Sequence, residues 1–177
     1  DVFGKDRSKA AAYYRSWYEY LKRKGWAERA YLYMHDETLN AESYAQARRM
    51  GEFVGEAEPR LRRLVVTQTY PRNPEWGTLD GALDIWCPLF GYIDEPSIRR
   101  VQQAGDDVWT YTALVQSVPR FHPDYENVKE PDVPHWAASD DGRPPYWQMD
   151  FPILGYRIAP WLARRYGITG LLYWSVC

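Results

Sequence analysis

Two adjacent carboxylates, Asp36 and Glu37, are the residues of this chain best placed to do chemistry. They close the run Tyr31-Leu32-Tyr33-Met34-His35, which is apolar and aromatic for four residues and then turns ionisable. A pair of acids can divide labour. One stays ionised and polarises a neighbouring group, while the other holds a proton near neutral pH and delivers it to a leaving atom. A nearby anion helps the second acid keep that proton. His35 precedes the pair; a lone histidine there is more often packed or hydrogen-bonded than a ligand. An Asp-Glu pair is also the ordinary polar opening of a loop.

The run before the pair reads as a strand over 31–37. A buried strand that delivers acids at its C-terminal end is a common way for an α/β fold to present catalytic groups. Neighbours on a regular strand point to opposite faces. Both acids can therefore serve one site only if the strand ends or bulges there.

The remaining elements alternate. The spacing predicts helices over 6–24, from the cap Asn40 to a stop at Gly55 and Pro59, from Pro96 to Gly105, and from Asp150 to Tyr166 with a kink at Pro160. Strands are predicted at 64–69, 83–88, 108–114 and 168–176, each nearly continuous in apolar residues. That is the pattern of a parallel sheet covered by helices. Five strands fit either a complete open, doubly wound sheet or a partial (β/α)₈ TIM barrel with about five of its eight strands. The first helix has no strand before it and the chain ends on a strand. Both features favour the barrel, with residues 1–177 as its C-terminal portion. Residues 116–148 read as one long loop holding His122, His135, Trp136 and Trp147.

Composition excludes several classes. The 177 residues are 45% hydrophobic with a formal net charge of -2, which suits a single domain and lacks the basic face of a nucleic-acid or membrane-surface binder. No stretch is long enough for a membrane span. The arginines at 48–49, 60–63, 99–100 and 164–165 read as solvated helix faces. Cys87 and Cys177 form neither a disulfide framework nor a metal motif, and read as small buried hydrophobes. There are 9 Trp and 15 Tyr against 5 Phe. Such residues pair a flat apolar face with a polar edge, which suits the C–H patches and hydroxyls of a sugar. An aromatic-rich core accounts for some of them.

The strands also end in aromatic or polar residues: Gln68 and Tyr70, then Trp86, then Trp109 and Tyr111, then Trp174. Strand C-termini line the active face of a barrel. An acid pair on such a face fits the cleavage of N-acetylated sugars by substrate assistance. There the substrate's own acetamido oxygen attacks the anomeric carbon, and no enzyme nucleophile is needed.

The ordered set YLYMHDE, LDIWCP, DDVWTYTAL and GITGLLYWSV resembles glycoside hydrolase family 123 over about residues 10–177. The resemblance implies a retaining β-N-acetylgalactosaminidase barrel that needs no metal and no cofactor. It implies that Asp36 orients the acetamido group and Glu37 is the acid/base. His35, Tyr70, Trp86, Trp109, Tyr111 and Trp174 would then shape the sugar site. The expected partner is an N-acetylhexosamine-containing glycan, with neither nucleic acid nor membrane, and a secreted or periplasmic parent protein. Two alternatives stay open: a retaining glycosidase with Asp84 or Asp107 as nucleophile, and a non-catalytic sugar-binding module derived from a barrel.

Overall fold

The computed structural model describes residues 3–112 and 155–173. It contains an α/β fold in which five parallel strands form one curled sheet, half a barrel in outline. In chain order the main elements are α1 (Arg7–Arg23), β1 (Tyr31–His35), α2 (Ala41–Ala57), β2 (Arg62–Val65), β3 (Ile85–Trp86), α3 (Glu95–Gln103), β4 (Asp107–Thr112), α4 (Gly155–Tyr166) and β5 (Gly170–Tyr173). The strands lie side by side in the order β1-β2-β3-β4-β5. A doubly wound sheet requires a reversal of strand order, and none occurs among the described strands.

Local signals set the helix starts. Asn40 caps α2 by accepting from the Ser43 backbone N–H, and Ser43 Oγ accepts from the Asn40 N–H in return. Asp94 does the same service for α3, accepting from Ser97 N, with Pro96 in the first turn. Helix α2 ends at Ala57, between the expected stop residues Gly55 and Pro59. Helix α4 runs through Pro160. The expected long loop 116–148, the start of the last helix at 150–154, and Trp174 and Cys177 lie outside the described residues.

Two packed layers follow from strand alternation. On the helix side, Val65, Trp86, Val108 and Ile168 meet Tyr44 and Ala47 of α2 and Ile98 and Val101 of α3. On the inner side, Leu64, Val66, Ile85, Cys87 and Tyr111 form a second cluster, joined by Tyr31, Trp109 and Leu172. Leu21 of α1 packs with Val54 and Leu61 at the β1 end of the sheet. No described helix is long and apolar enough to cross a membrane.

Two arginines depart from the helix-face reading. Arg62 and Arg63 are in β2, not on a helix, and the strand starts two residues before its apolar run. Arg63 is buried and makes a two-pronged ion pair with Asp84, Nε to Oδ2 and Nη2 to Oδ1, both 2.8 Å. Its Nη1 also donates to the carbonyls of Gly51 and Gly81. Arg62 pairs with Asp107 across β3. Charges whose partners lie 21 and 45 positions away cannot be told from solvated ones by local pattern.

Glycine sets the distance between α2 and the loop before β3. A Cβ built on Gly51 would lie 1.9 Å from the Ala82 carbonyl oxygen. In an open helix interior, Gly→Ala stabilises by about 1 kcal/mol. Here the backbone must move, and overpacking costs about 1–3 kcal/mol. Gly51→Ala should therefore lower stability in chemical denaturation. A gain would show that the contact is not close.

Candidate functional site

The end of β1 departs from a regular strand in two ways. Its register against β2 shifts between Tyr33 and His35, so that Tyr33 pairs with Leu64 but His35 with Val65. Glu37 then adopts φ 45, the only positive φ at a non-glycine among the described residues. This left-handed backbone costs an ordinary L-residue roughly 1–2 kcal/mol. Such strain gathers at functional sites, where surrounding structure holds it in place.

The break brings both acids to one cleft. A cavity of about 580 Å³ opens on the inner side of the sheet, lined by Asp36 and Glu37 with Tyr31, Tyr33, Tyr111 and Leu172. Each acid receives a tyrosine hydroxyl. Tyr33 donates to Asp36 Oδ1 at 2.8 Å, and Tyr111 donates to Glu37 Oε1 at 2.6 Å. The Tyr111 bond spans from β4 to the turn after β1 and so ties non-adjacent parts of the sheet. No third carboxylate among the described residues lines this cavity.

The electrostatics follow from burial and these bonds. Burial first, and the bond to Glu37 second, hold the Tyr111 hydroxyl well above the ordinary tyrosine range. Tyr33 is raised in the same way, by burial and then by Asp36. Burial, with a smaller contribution from Asp36, pushes the Cys87 thiol up. Cys87 is thus a neutral thiol in the inner layer rather than a nucleophile.

A second cavity, of about 440 Å³, shares Glu37, Val66 and Tyr111 with the first. Thr38, Thr67, Gln68, Arg72 and Tyr92 complete its polar and aromatic lining. Glu37 is thereby the acid common to both.

The residues expected at the site divide. Asp36, Glu37 and Tyr111 meet there. Trp109 lies on the same inner face, edge-on to Tyr31 with ring centroids 4.8 Å apart, but does not line the cleft. Its indole lies across Gly170, where a Cβ would come within 2.3 Å of the ring. Trp86 does not join them. It is buried in the helix-side layer, and its indole N–H donates to Asp106 at 2.8 Å. His35 lines neither cavity; the register shift pairs it with Val65, and its Nδ1 is buried with no partner among the described residues. Tyr70 is exposed beyond the end of β2 and lines neither cavity. Trp174 lies outside the described residues.

The two alternative nucleophiles stand elsewhere. Asp84 directly precedes β3 and Asp107 opens β4, both at strand N-terminal ends, and both are held by arginines. Asp36 and Glu37 follow the C-terminal end of β1. In a parallel sheet those are opposite rims.

Sequence reading overlooked Tyr31, Tyr33 and Leu172. Period-two alternation would have found the first two, since Tyr31 and Tyr33 share a face of β1. The chain matches no known family model, and no curated protein matches it either.

The raised tyrosines set a pH dependence. A group that keeps its proton longer when folded adds stability that is complete below its unfolded value, near 10, and is lost as pH rises towards its folded value. Burial pushes the Tyr44 hydroxyl up to about 12, and Tyr111 moves in the same direction. Stability should fall between pH 10 and 12. Tyr111→Phe should remove one proton from that dependence, flattening the slope by about 1.4 kcal/mol per pH unit. An unchanged slope in denaturant titrations would show that the Tyr111 hydroxyl is not raised in the folded protein.

Proposed function

We propose that this chain carries the catalytic centre of a glycoside hydrolase that removes terminal β-linked N-acetylhexosamine, with N-acetylgalactosamine as the preferred sugar. The reaction retains configuration through substrate-assisted catalysis on a partial (β/α)₈ barrel similar to that of glycoside hydrolase family 123. The observation that carries this reading is the convergence of Asp36 and Glu37 on one cleft, each fixed by its own tyrosine hydroxyl.

The geometry supports a division of roles. The sugar occupies the larger cavity, where Asp36 accepts from the acetamido N–H and turns its oxygen towards the anomeric carbon. Tyr33 holds the Asp36 carboxylate in that orientation. Tyr111 engages Oε1 of Glu37, which leaves Oε2 to carry the proton. As the acetamido oxygen bonds to the anomeric carbon, the glycosidic bond breaks and the leaving oxygen takes that proton. Glu37, now a base, accepts a proton from water as the water attacks the same carbon and reopens the ring. Two displacements retain configuration. The absence of a further carboxylate among the described cleft residues supports an attack by the substrate itself.

The deciding assay is release of nitrophenol from N-acetylgalactosaminide, N-acetylglucosaminide and plain galactoside by the full-length protein. Both acetamido sugars should react, and the galactoside should not. Binding without turnover would reassign the chain to a sugar-binding module. Trapping of a carboxylate by a fluorosugar would replace substrate assistance with a protein nucleophile.

The variants should separate the two acids. Glu37→Gln should slow cleavage of natural linkages by about 10²–10⁴-fold, the usual worth of a general acid, and affect activated nitrophenyl sugars much less. Asp36→Asn should slow both, because it weakens the attack itself. Equal losses for both substrates in Glu37→Gln would remove Glu37 as the acid.

A further inference from the structure

We propose that the second cavity receives the leaving-group sugar, and that Arg72 there selects sugars bearing an anionic group, a carboxylate or a sulfate. The inference rests on the glycosidase reading above and adds the substrate class. Glu37 lines both cavities, whereas Asp36 lines only the larger one. The acid must stand between the sugar being removed and the group it leaves, and the acetamide partner must stand on the sugar side alone. The smaller cavity is therefore the leaving-group side.

Arg72 is the only basic side chain among the described residues that lines either cavity. Its Nε donates to the side-chain carbonyl of buried Gln68 at 3.2 Å, which fixes the guanidinium and leaves its terminal nitrogens. The guanidinium carbon stands 5.7 Å from the centroid of the Tyr92 ring. Arg62, Arg63, Arg99 and Arg100 are each paired with a carboxylate; Arg72 has no such partner among the described residues. Glu37, the one acid among the described residues that line this cavity, is engaged by Tyr111. Gln68 spends its carbonyl on Arg72, so its amide N–H groups are left to donate. The Thr38 and Thr67 hydroxyls bond each other at 2.6 Å. A planar, charged donor fork beside a donor amide and an aromatic ring suits a sugar carrying an oxyanion.

The test compares three disaccharides with the same terminal β-N-acetylgalactosaminyl unit, joined to glucose, to glucuronate and to glucose 6-sulfate. With the full-length protein, kcat/KM should be about tenfold or more higher for at least one acidic acceptor than for glucose, in the range of one charge-assisted hydrogen bond. The two acidic substrates distinguish carboxylate from sulfate. The preference should shrink with added salt. Arg72→Ala should bring the acidic-to-neutral ratio close to one, Arg72→Glu should invert it, and Arg72→Lys should keep part of it. Equal kcat/KM on all three in the wild type, or a preference that survives in Arg72→Glu, overturns the inference and leaves the glycosidase reading standing. Turnover of none of the three, nor of the nitrophenyl sugars, removes that reading and this inference with it.

Discussion

The handedness of the βαβ connection is the constraint on which the structure depends. Crossovers between parallel strands are almost always right-handed. When each new strand is added on the same side of the last, as in β1-β2-β3-β4-β5, the crossovers fall on one face, and α2, α3 and α4 pack there. The other face must then find its own cover, and the sheet curls upon it. The result is an inner layer of Leu64, Val66, Ile85, Cys87 and Tyr111, distinct from the helix-side layer around Val65, Trp86 and Val108. It also brings the C-terminal ends of all five strands to one rim, where the two cavities open.

Within that frame the candidate site is made by a defect. A regular β1 would send Asp36 and Glu37 to opposite faces. The register shift after Tyr33 and the left-handed backbone at Glu37 cancel that alternation. The cost is of the order of a kcal/mol or two, and the hydrogen bond from Tyr111 helps to hold the turn. The same shift pairs His35 with Val65 of the helix-side layer rather than with Val66 of the inner one. Both acids line the cleft that follows this irregularity, and His35 does not.

The polar groups of the fold separate by rim. At the strand N-termini, Arg63–Asp84 and Arg62–Asp107 tie strands and helices together with matched charges. Breaking one partner of such a pair leaves an uncompensated charge, which is costly where it is buried. At the C-terminal rim the acids face tyrosine hydroxyls rather than arginines. Asp36 and Glu37 therefore remain without a matched cation among the described residues, whereas Asp84 and Asp107 are spent on structure.

Much of the frame was legible in the sequence. Hydrophobic runs and cap residues placed the helices and strands of the described chain, because period and capping are local properties. The acid pair was legible too, as was the need for a bulge if both acids were to serve one site. The order and parallel direction of the strands follow from βα alternation. Three things were decided only by the tertiary structure. Trp86 and Trp109 look alike at strand positions, yet the pleat sends one to the helices and the other inward. Arg63 reads as a surface charge until Asp84, 21 positions on, is folded against it. The partners of Asp36 and Glu37 are Tyr33 and Tyr111, and the second is 74 positions away. Contacts of that kind depend on register and curvature, which no local window of sequence encodes.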